Sequence, residues 1–405
     1  MTINLDVAIV GGGISGLVSA YECQHKGLNM LLIEAESRVG GRVQSDVING
    51  VICDRGFQVF LPAYPIASSI LKECALEWCY YPREALIIDN KKTWFGVPSF
   101  AQIIKPDRKI IWPEVKDMIQ LTRDAYTGIK EKTKHLSDIS IKTHLSTKYS
   151  TNFRKRFLDP FFRGVFLDKD LSSSKSLFQF YLWMFLKGGA AIPRLGMGEI
   201  SRQLGNTVKK EKILLDTSVE RIEKQNGMWH ISTNTGVKIA SKAIIIATEK
   251  MTTEFFLKDI EDKDPPLPVS THFFLADKEA TKELRPLTLF PDGNMLHHLA
   301  IPSQINPSIT NNSNDLIMVT TYGQTIVDKK LVKNELKKKG LQSVQDWEWI
   351  HHIGIKRALP RINRFQKQKD PSCIIAGDWT TFPSIEGACQ SGMSAGKRVA
   401  LLFNN

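Results

Sequence analysis

Leu5-Asp-Val-Ala-Ile-Val-Gly11-Gly-Gly13-Ile-Ser-Gly16 lies at the start of the chain, and Met30-Leu-Leu-Ile-Glu34 is the next apolar run. The pattern predicts a buried strand, a glycine turn, a helix, and a second strand ending in a carboxylate. Each glycine has a separate physical use. Gly11 makes the tight turn, Gly13 lets backbone approach a pyrophosphate, and Gly16 lets the helix pack close to the strand. Glu34 is placed to take a ribose hydroxyl. The unit is therefore read as a dinucleotide cradle, with Gly11, Gly13, Ile14, Ser15, Gly16, Glu34 and Ala35 as its contacts.

The 405 residues suffice for two or three domains around a large core. Hydrophobic residues make up 42% and charged residues 24%, which excludes a disordered chain. Lys and Arg outnumber Asp and Glu by 54 to 42, a net charge of +12. No nucleic-acid motif accompanies this surplus, so an anionic cofactor or an anionic membrane surface is the better match. No apolar run reaches the ~18 residues of a membrane-spanning helix. Residues 1–4 are too short and polar for a signal peptide. The six cysteines show neither a C-x-x-C pair nor metal-ligand spacing, so they are read as reduced and mostly buried. These features predict a cytoplasmic protein that, at most, touches a membrane peripherally.

Further along, Val51–Phe60 reads as extended chain bent at Gly56, and residues 66–78 have helical apolar spacing. Prolines break up residues 81–113, and 114–131 read as helix. Residues 153–187 are crowded with Phe, Tyr and Trp. They are read as a core helix pair, or else as the wall of an apolar pocket or a lipid-touching surface. Gly196-Met-Gly198 is a turn before a helix. Met228–Ser232 and Val237–Ile239 flank a hairpin signal. Lys242–Thr248 and Cys373–Asp378 read as buried strands, the second followed by a helix from about Ile385. His297-His298 and His351-His352 lack the spacing of metal ligands, and no metal site is expected.

Three blocks together resemble the flavin amine oxidase superfamily, which includes protoporphyrinogen oxidases and phytoene-desaturase-like enzymes. They are Val10–Gly16 with Glu34, Arg38-Val-Gly-Gly-Arg42, and Ala376-Gly-Asp378 with Ile385-Glu-Gly-Ala388 and Ser391-Gly392. Asp54-x-Gly56-Phe-Gln58, Pro193 with Gly196-Met-Gly198, Val219 and Ala358-Leu-Pro360 support the match. The resemblance implies an α/β fold with a Rossmann-type FAD-binding domain. That domain would be assembled from residues 1–80, 193–250 and 350–405. Residues 81–192 and 251–349 would form an inserted α+β substrate domain.

By the same resemblance, FAD is held without a covalent bond. Gly41 and Arg42 lie along its phosphates, and Val219 touches the adenine through its backbone. Gly377, Asp378, Glu386, Gly387 and Ala388 approach the ribityl chain and the ring. The expected reaction removes hydride from a C–H or C–N bond of a small, largely apolar substrate, in the manner of a desaturase or oxidase. No nicotinamide domain is visible, so oxygen or a quinone is the expected electron acceptor. A non-redox flavin-dependent isomerase and an amine oxidase are the alternatives. The amine-oxidising members often place a lysine beside the ring, and none is identifiable in residues 250–300. Arg55, Phe57 and Gln58 are the candidates for the pocket wall, with no catalytic residue assigned.

Overall fold

The computed structural model describes residues 2–89, 92–96, 113–130, 139–258, 267–292, 295–310, 314–323, 327–361 and 370–403. Two seven-stranded sheets organise them. The first is built outward from Thr2–Val10. This strand pairs in parallel with Met30–Ile33 on one side and Lys238–Ile246 on the other. Val7, Ala8, Ile9 and Ala243–Ile246 are fully buried, as a parallel sheet covered on both faces requires. Ile213–Leu214 extends the sheet beyond Met30–Ile33.

The outer edge of Lys238–Ile246 is shared between two neighbours. Its first half pairs antiparallel with Met228–Thr233, completing the expected hairpin. Its second half pairs in parallel with Cys373–Ile375. That sharing brings the last strand of the chain within one strand of the first. The helix Ile14–His25 then packs against the final helix, Ile385–Leu401.

The second sheet runs in the order Glu348–Leu359, Leu267–Ala276, Asp315–Tyr322, Leu296–Ala300, Leu287–Leu289, Glu84–Ile88, Lys92–Gly96. Its strands come from both sides of the central segment that supplies the first sheet. The strand Glu348–Leu359 belongs wholly to this second sheet, so the boundary expected at residue 350 falls inside it.

Residues 66–78 do not form the expected single helix. Ala67–Ile70 is one helical turn, Leu71–Glu73 is a 3₁₀ turn, and Trp78–Tyr80 is a strand paired with Ala191–Pro193. The pairing with Ala191–Pro193 takes the far end of this segment out of helix, while Glu386 holds its near end. Its carboxylate accepts from the amides of Ile66 and Ala67 at 3.0 and 2.8 Å, which fixes the start of the short helix from outside it.

The aromatic stretch is core. Phe162, Phe166, Phe178, Phe180 and Tyr181 are buried, and Phe162 meets Phe178 edge to face with centroids 4.6 Å apart. Phe180 packs on Phe382, and the Tyr181 hydroxyl donates to Pro383 O at 2.9 Å. The helix Lys175–Gly188 thus supports the loop before the final helix. No disulfide joins the six cysteines; Cys23, Cys53, Cys373 and Cys389 are buried, and Cys74 and Cys79 half-buried.

Candidate cofactor site

The site is assembled where the first strand meets its helix. Gly11 sits at φ +102°, a region closed to side chains in practice, and a Cβ there would lie 2.7 Å from Ala247 O. A Cβ on Gly16 would collide with Gly11 O, so the helix can lie this close only because residue 16 has no side chain. Gly13 differs from both. Its φ is −69°, and a Cβ there would meet nothing within 4 Å. Gly13 is also the N-cap of the helix Ile14–His25, with no side chain capping it. The first amides of the helix therefore face open space with the positive end of the helix dipole behind them, an arrangement suited to a phosphate.

Glu34 is held for a role beside this opening. One carboxylate oxygen accepts from Gly12 N at 2.5 Å and the other from Glu36 N at 2.9 Å. The side chain is buried but retains free lone pairs for a diol. Ala35 is exposed next to it. Thr217 N donates to Glu34 O at 2.9 Å, which brings the start of the strand Val219–Gln225 to the same end of the sheet. Val219 is half-buried there.

A second glycine loop closes the other side. Gly40 N donates to Gly12 O at 2.8 Å, and a Cβ on Gly41 would lie 3.4 Å from Gly13 Cα. Arg42 follows. Its guanidinium donates to Ala358 O at 2.9 Å and to Asp378 Oδ1 at 2.6 Å. Burial works against its charge, but the Asp378 carboxylate outweighs that and raises the arginine further. Gln58 supports the loop by donating to Arg42 O at 2.8 Å and Arg55 O at 2.9 Å.

At the end of the chain, Gly377 N donates to Ser391 Oγ at 3.0 Å, which ties the loop carrying Asp378 to the final helix. Ser384 caps that helix by accepting from Gly387 N at 2.8 Å, and Ala388 N bonds Ser384 O.

A family profile matches residues 14–256, which hold the helix, the glycine loop with Arg42 and the central strands. The chain belongs to the flavin containing amine oxidoreductase family. It is 30% identical over 186 residues to protoporphyrinogen oxidase 2 of Arabidopsis thaliana, covering 42% of this chain and 35% of that protein. It is 22% identical over 328 residues to coproporphyrinogen III oxidase of Bacillus subtilis, covering 71% and 67%. The chain thus spans about a third of the plant relative's length and about two thirds of the bacterial one. A putrescine oxidase bound to putrescine shares the fold, with TM-score 0.72 and 16% identity over 98% of this chain and 99% of that one.

Several side chains and glycines of the last block have partners within the protein itself. The Glu386 carboxylate is taken by Ile66 and Ala67, as described above. The small-residue face of the final helix packs on the first helix. A Cβ on Gly392 would collide with Ser15 O, one on Gly396 would lie 2.5 Å from Glu22 Cβ, and Ser19 Oγ donates to Gly392 O at 3.1 Å. Those glycines serve helix–helix contact. Gly387 likewise fits against Phe382 O. Arg55 pairs with Asp46 at 3.3 Å, with both side chains about one third exposed.

Gly56 and Phe57 meet Tyr81 and residues of the second sheet that the sequence does not single out. A Cβ on Gly56, at φ +82°, would lie 3.8 Å from Thr271 Oγ1 and 3.6 Å from Ile355 Cδ1 of the second sheet. Phe57 lies 4.5 Å from the His298 ring and 6.1 Å from the Tyr81 ring, centroid to centroid. The hydroxyls of Tyr81 and Thr271 are buried without a hydrogen-bond partner among the described residues. No local motif marks these residues, since strand pairing alone brings them together.

His298 belongs to a chain whose tautomers follow from one end. His297 Nε2 contacts Pro160 O at 3.2 Å and must donate. Its Nδ1 then accepts from His298 Nδ1, and His298 Nε2 accepts from Thr320 Oγ1 at 3.2 Å. Burial lowers both imidazoles, His297 to about 3, so both are neutral.

Proposed function

We propose that this chain binds FAD without a covalent bond and removes hydride from a C–H or C–N bond of a largely apolar small molecule. The uncapped helix start at Gly13, beside the amide-held Glu34, carries the reading. The diphosphate would lie on the amides of residues 13–16 with Gly41 and Arg42 along it, and Glu34 would take the adenosine ribose. Val219 would touch the adenine, and Asp378 would sit toward the ribityl chain. Bound there, FAD supplies a two-electron acceptor for the substrate's hydride.

The chain's own groups favour a neutral, mostly apolar substrate. Phe57 and Ile355 offer apolar surface. The Tyr81 and Thr271 hydroxyls offer two buried polar handles. His298 is uncharged and its donor is already committed to His297. The lysines of residues 250–292 within the described structure, Lys250, Lys258, Lys278 and Lys282, are exposed or half-buried. None of them supports an amine-oxidase role. Cys389 is buried, and burial raises its thiol well above the usual range, which disfavours a thiolate link to the ring. Oxygen or a quinone would reoxidise the cofactor.

Anaerobic mixing of the purified protein with porphyrinogens, carotenoid precursors and amines tests the reading. Bleaching of the flavin absorbance by one of the apolar compounds is expected. Bleaching only by a small polar alcohol or acid would overturn the substrate class.

A further inference from the structure

His297 and His298 occupy a bulge in the second sheet. Leu296 pairs with Thr321 and His298 with Thr320, so His297 is an extra residue in the ladder. The bulge cancels the usual alternation of sides. Leu296 and Leu299 both join the apolar cluster on the sheet's outer side, with Val319 and Leu336. The two imidazoles between them turn to the inner side. There His298 meets Phe57 and His297 meets Tyr322, each with ring centroids 4.5 Å apart. The imidazoles themselves lie edge to face at 4.6 Å. Tyr322, His297, His298 and Phe57 thus form an unbroken series of rings. A Cβ on Gly164 would lie 2.1 Å from His297 Cε1, so the helix Asp159–Phe166 rests directly on the pair.

All four ring nitrogens are spent. His297 Nε2 donates to Pro160 O, the two Nδ1 atoms bond each other, and His298 Nε2 accepts from Thr320 Oγ1. Neither ring keeps a donor or a lone pair for a ligand. The cross-strand row continues from Thr320 to Thr271 and Ile353, and residues paired across strands share a face. Thr271 is fully buried, and its hydroxyl has no partner among the described residues. Phe57, Ile353, Ile355 and Tyr322 on this side are only half-buried, so solvent reaches it beside the Gly56–Phe57 turn. We propose that the histidine pair sets the specificity of the substrate site, by laying a flat ring surface with no free hydrogen-bonding atom beside the free hydroxyl of Thr271. That surface fits an uncharged ring compound with one hydroxyl or carbonyl oxygen, its ring on Phe57 and His298 and its oxygen on Thr271. The row offers a charged group no counter-charge. Thr320 and His297 act through His298 and are positioning residues. The inference rests on the proposed substrate site and names the kind of molecule that site selects.

Ligand-observed NMR of the full chain with p-cresol, benzylamine and benzoate at neutral pH tests this, because the three share a ring and differ in charge. p-Cresol is expected to bind at least about tenfold more tightly than the other two. Thr271→Val should weaken p-cresol about three- to tenfold. Thr320→Val removes the donor to His298 Nε2 and leaves a lone pair facing the row. It should improve benzylamine relative to p-cresol at least about fivefold, and Thr320→Ser, which keeps the donor, should restore the parent ratio. A purely structural role would not shift that ratio and return it. Failure of the parent to bind p-cresol, or equal binding of all three compounds, would overturn the proposal whether or not a variant folds. So would an unchanged ratio in folded Thr320→Val. The readout needs no flavin colour, so selectivity can fail while FAD binding stands, and the reverse.

Discussion

The Arg42 guanidinium donates to Asp378 Oδ1 at 2.6 Å, joining residues 336 positions apart in the chain. The same guanidinium bonds Ala358 O, at the end of the second sheet's outermost strand. One side chain thus ties together the glycine loop beside the first helix, the last strand–loop unit and the sheet opposite. Arg42→Ala should destabilise the apo protein by about 1–3 kcal/mol, because Asp378 is left buried and unpaired while Arg42 is itself only half-buried. Flavin retention should fall more than stability. Thermal melts with and without added FAD measure both; equal loss in the two would make the arginine merely structural.

Gly392→Val should unfold or loosen the contact between the first and final helices. A Cβ there meets the Ser15 backbone, which cannot move without the helix. The cost expected is about 1–3 kcal/mol or more, with the helix start shifted and flavin binding weakened as a consequence. Ser391→Ala is the milder partner variant, removing the bonds of its hydroxyl with Gly377 N and Thr380 Oγ1. A Gly392→Val protein that melts like the parent would contradict the packing described.

Asp54 makes stability depend on pH in an unusual direction. Burial raises its carboxyl to about 6, against the bonds from Ser45 Oγ and Met197 N that favour the charge. A raised acid contributes stability that is fully present below its unfolded value of about 4 and lost as pH rises through about 6. The amount is about 3 kcal/mol, as an order of magnitude. Asp124 works oppositely: burial opposes its charge, its hydrogen bonds overcome that, and its contribution is lost as pH falls through its lowered value. Urea titrations of wild type and Asp54→Asn between pH 4 and 7 separate the two. The variant should gain relative stability as pH rises, and a constant difference would refute the assignment.

How much of this was legible in the sequence varies along the chain. The first strand, turn and helix were legible because Gly11 and Gly16 each answer a separate steric demand at fixed spacing between apolar runs. The last strand and helix were legible because Cys373–Ala376 is short, apolar and followed by Gly377-Asp378. The break at residues 70–78 was not, since Trp78–Tyr80 is drawn into a strand by Ala191–Pro193, over a hundred residues further on. Nor could Gly392 and Gly396 be assigned to a helix partner, because a small-residue face is the same whether it meets a cofactor or another helix. Tyr81, Thr271 and His298 converge through long-range strand pairing, which no local pattern encodes.

Tyr81→Phe should leave the melting temperature unchanged or raise it slightly. The hydroxyl is buried without a partner among the described residues, so its loss removes a desolvation cost. If the hydroxyl is a substrate handle, the rate of flavin bleaching should drop about tenfold with the flavin still bound. A variant that bleaches at the parent rate would remove Tyr81 from the pocket.

Gly13→Ala isolates the cofactor site most directly, because a Cβ there touches nothing in the protein and the backbone conformation is open to alanine. Wild type and variant should be purified side by side, melted, and precipitated with acid, and the supernatant analysed for flavin. The expected result is equal apo stability, a yellow wild type that releases FAD into the supernatant, and a variant that binds FAD at least about tenfold more weakly. A wild type that stays colourless with FAD added, keeps its flavin in the precipitate, or binds it as tightly when Gly13 is replaced would contradict the account.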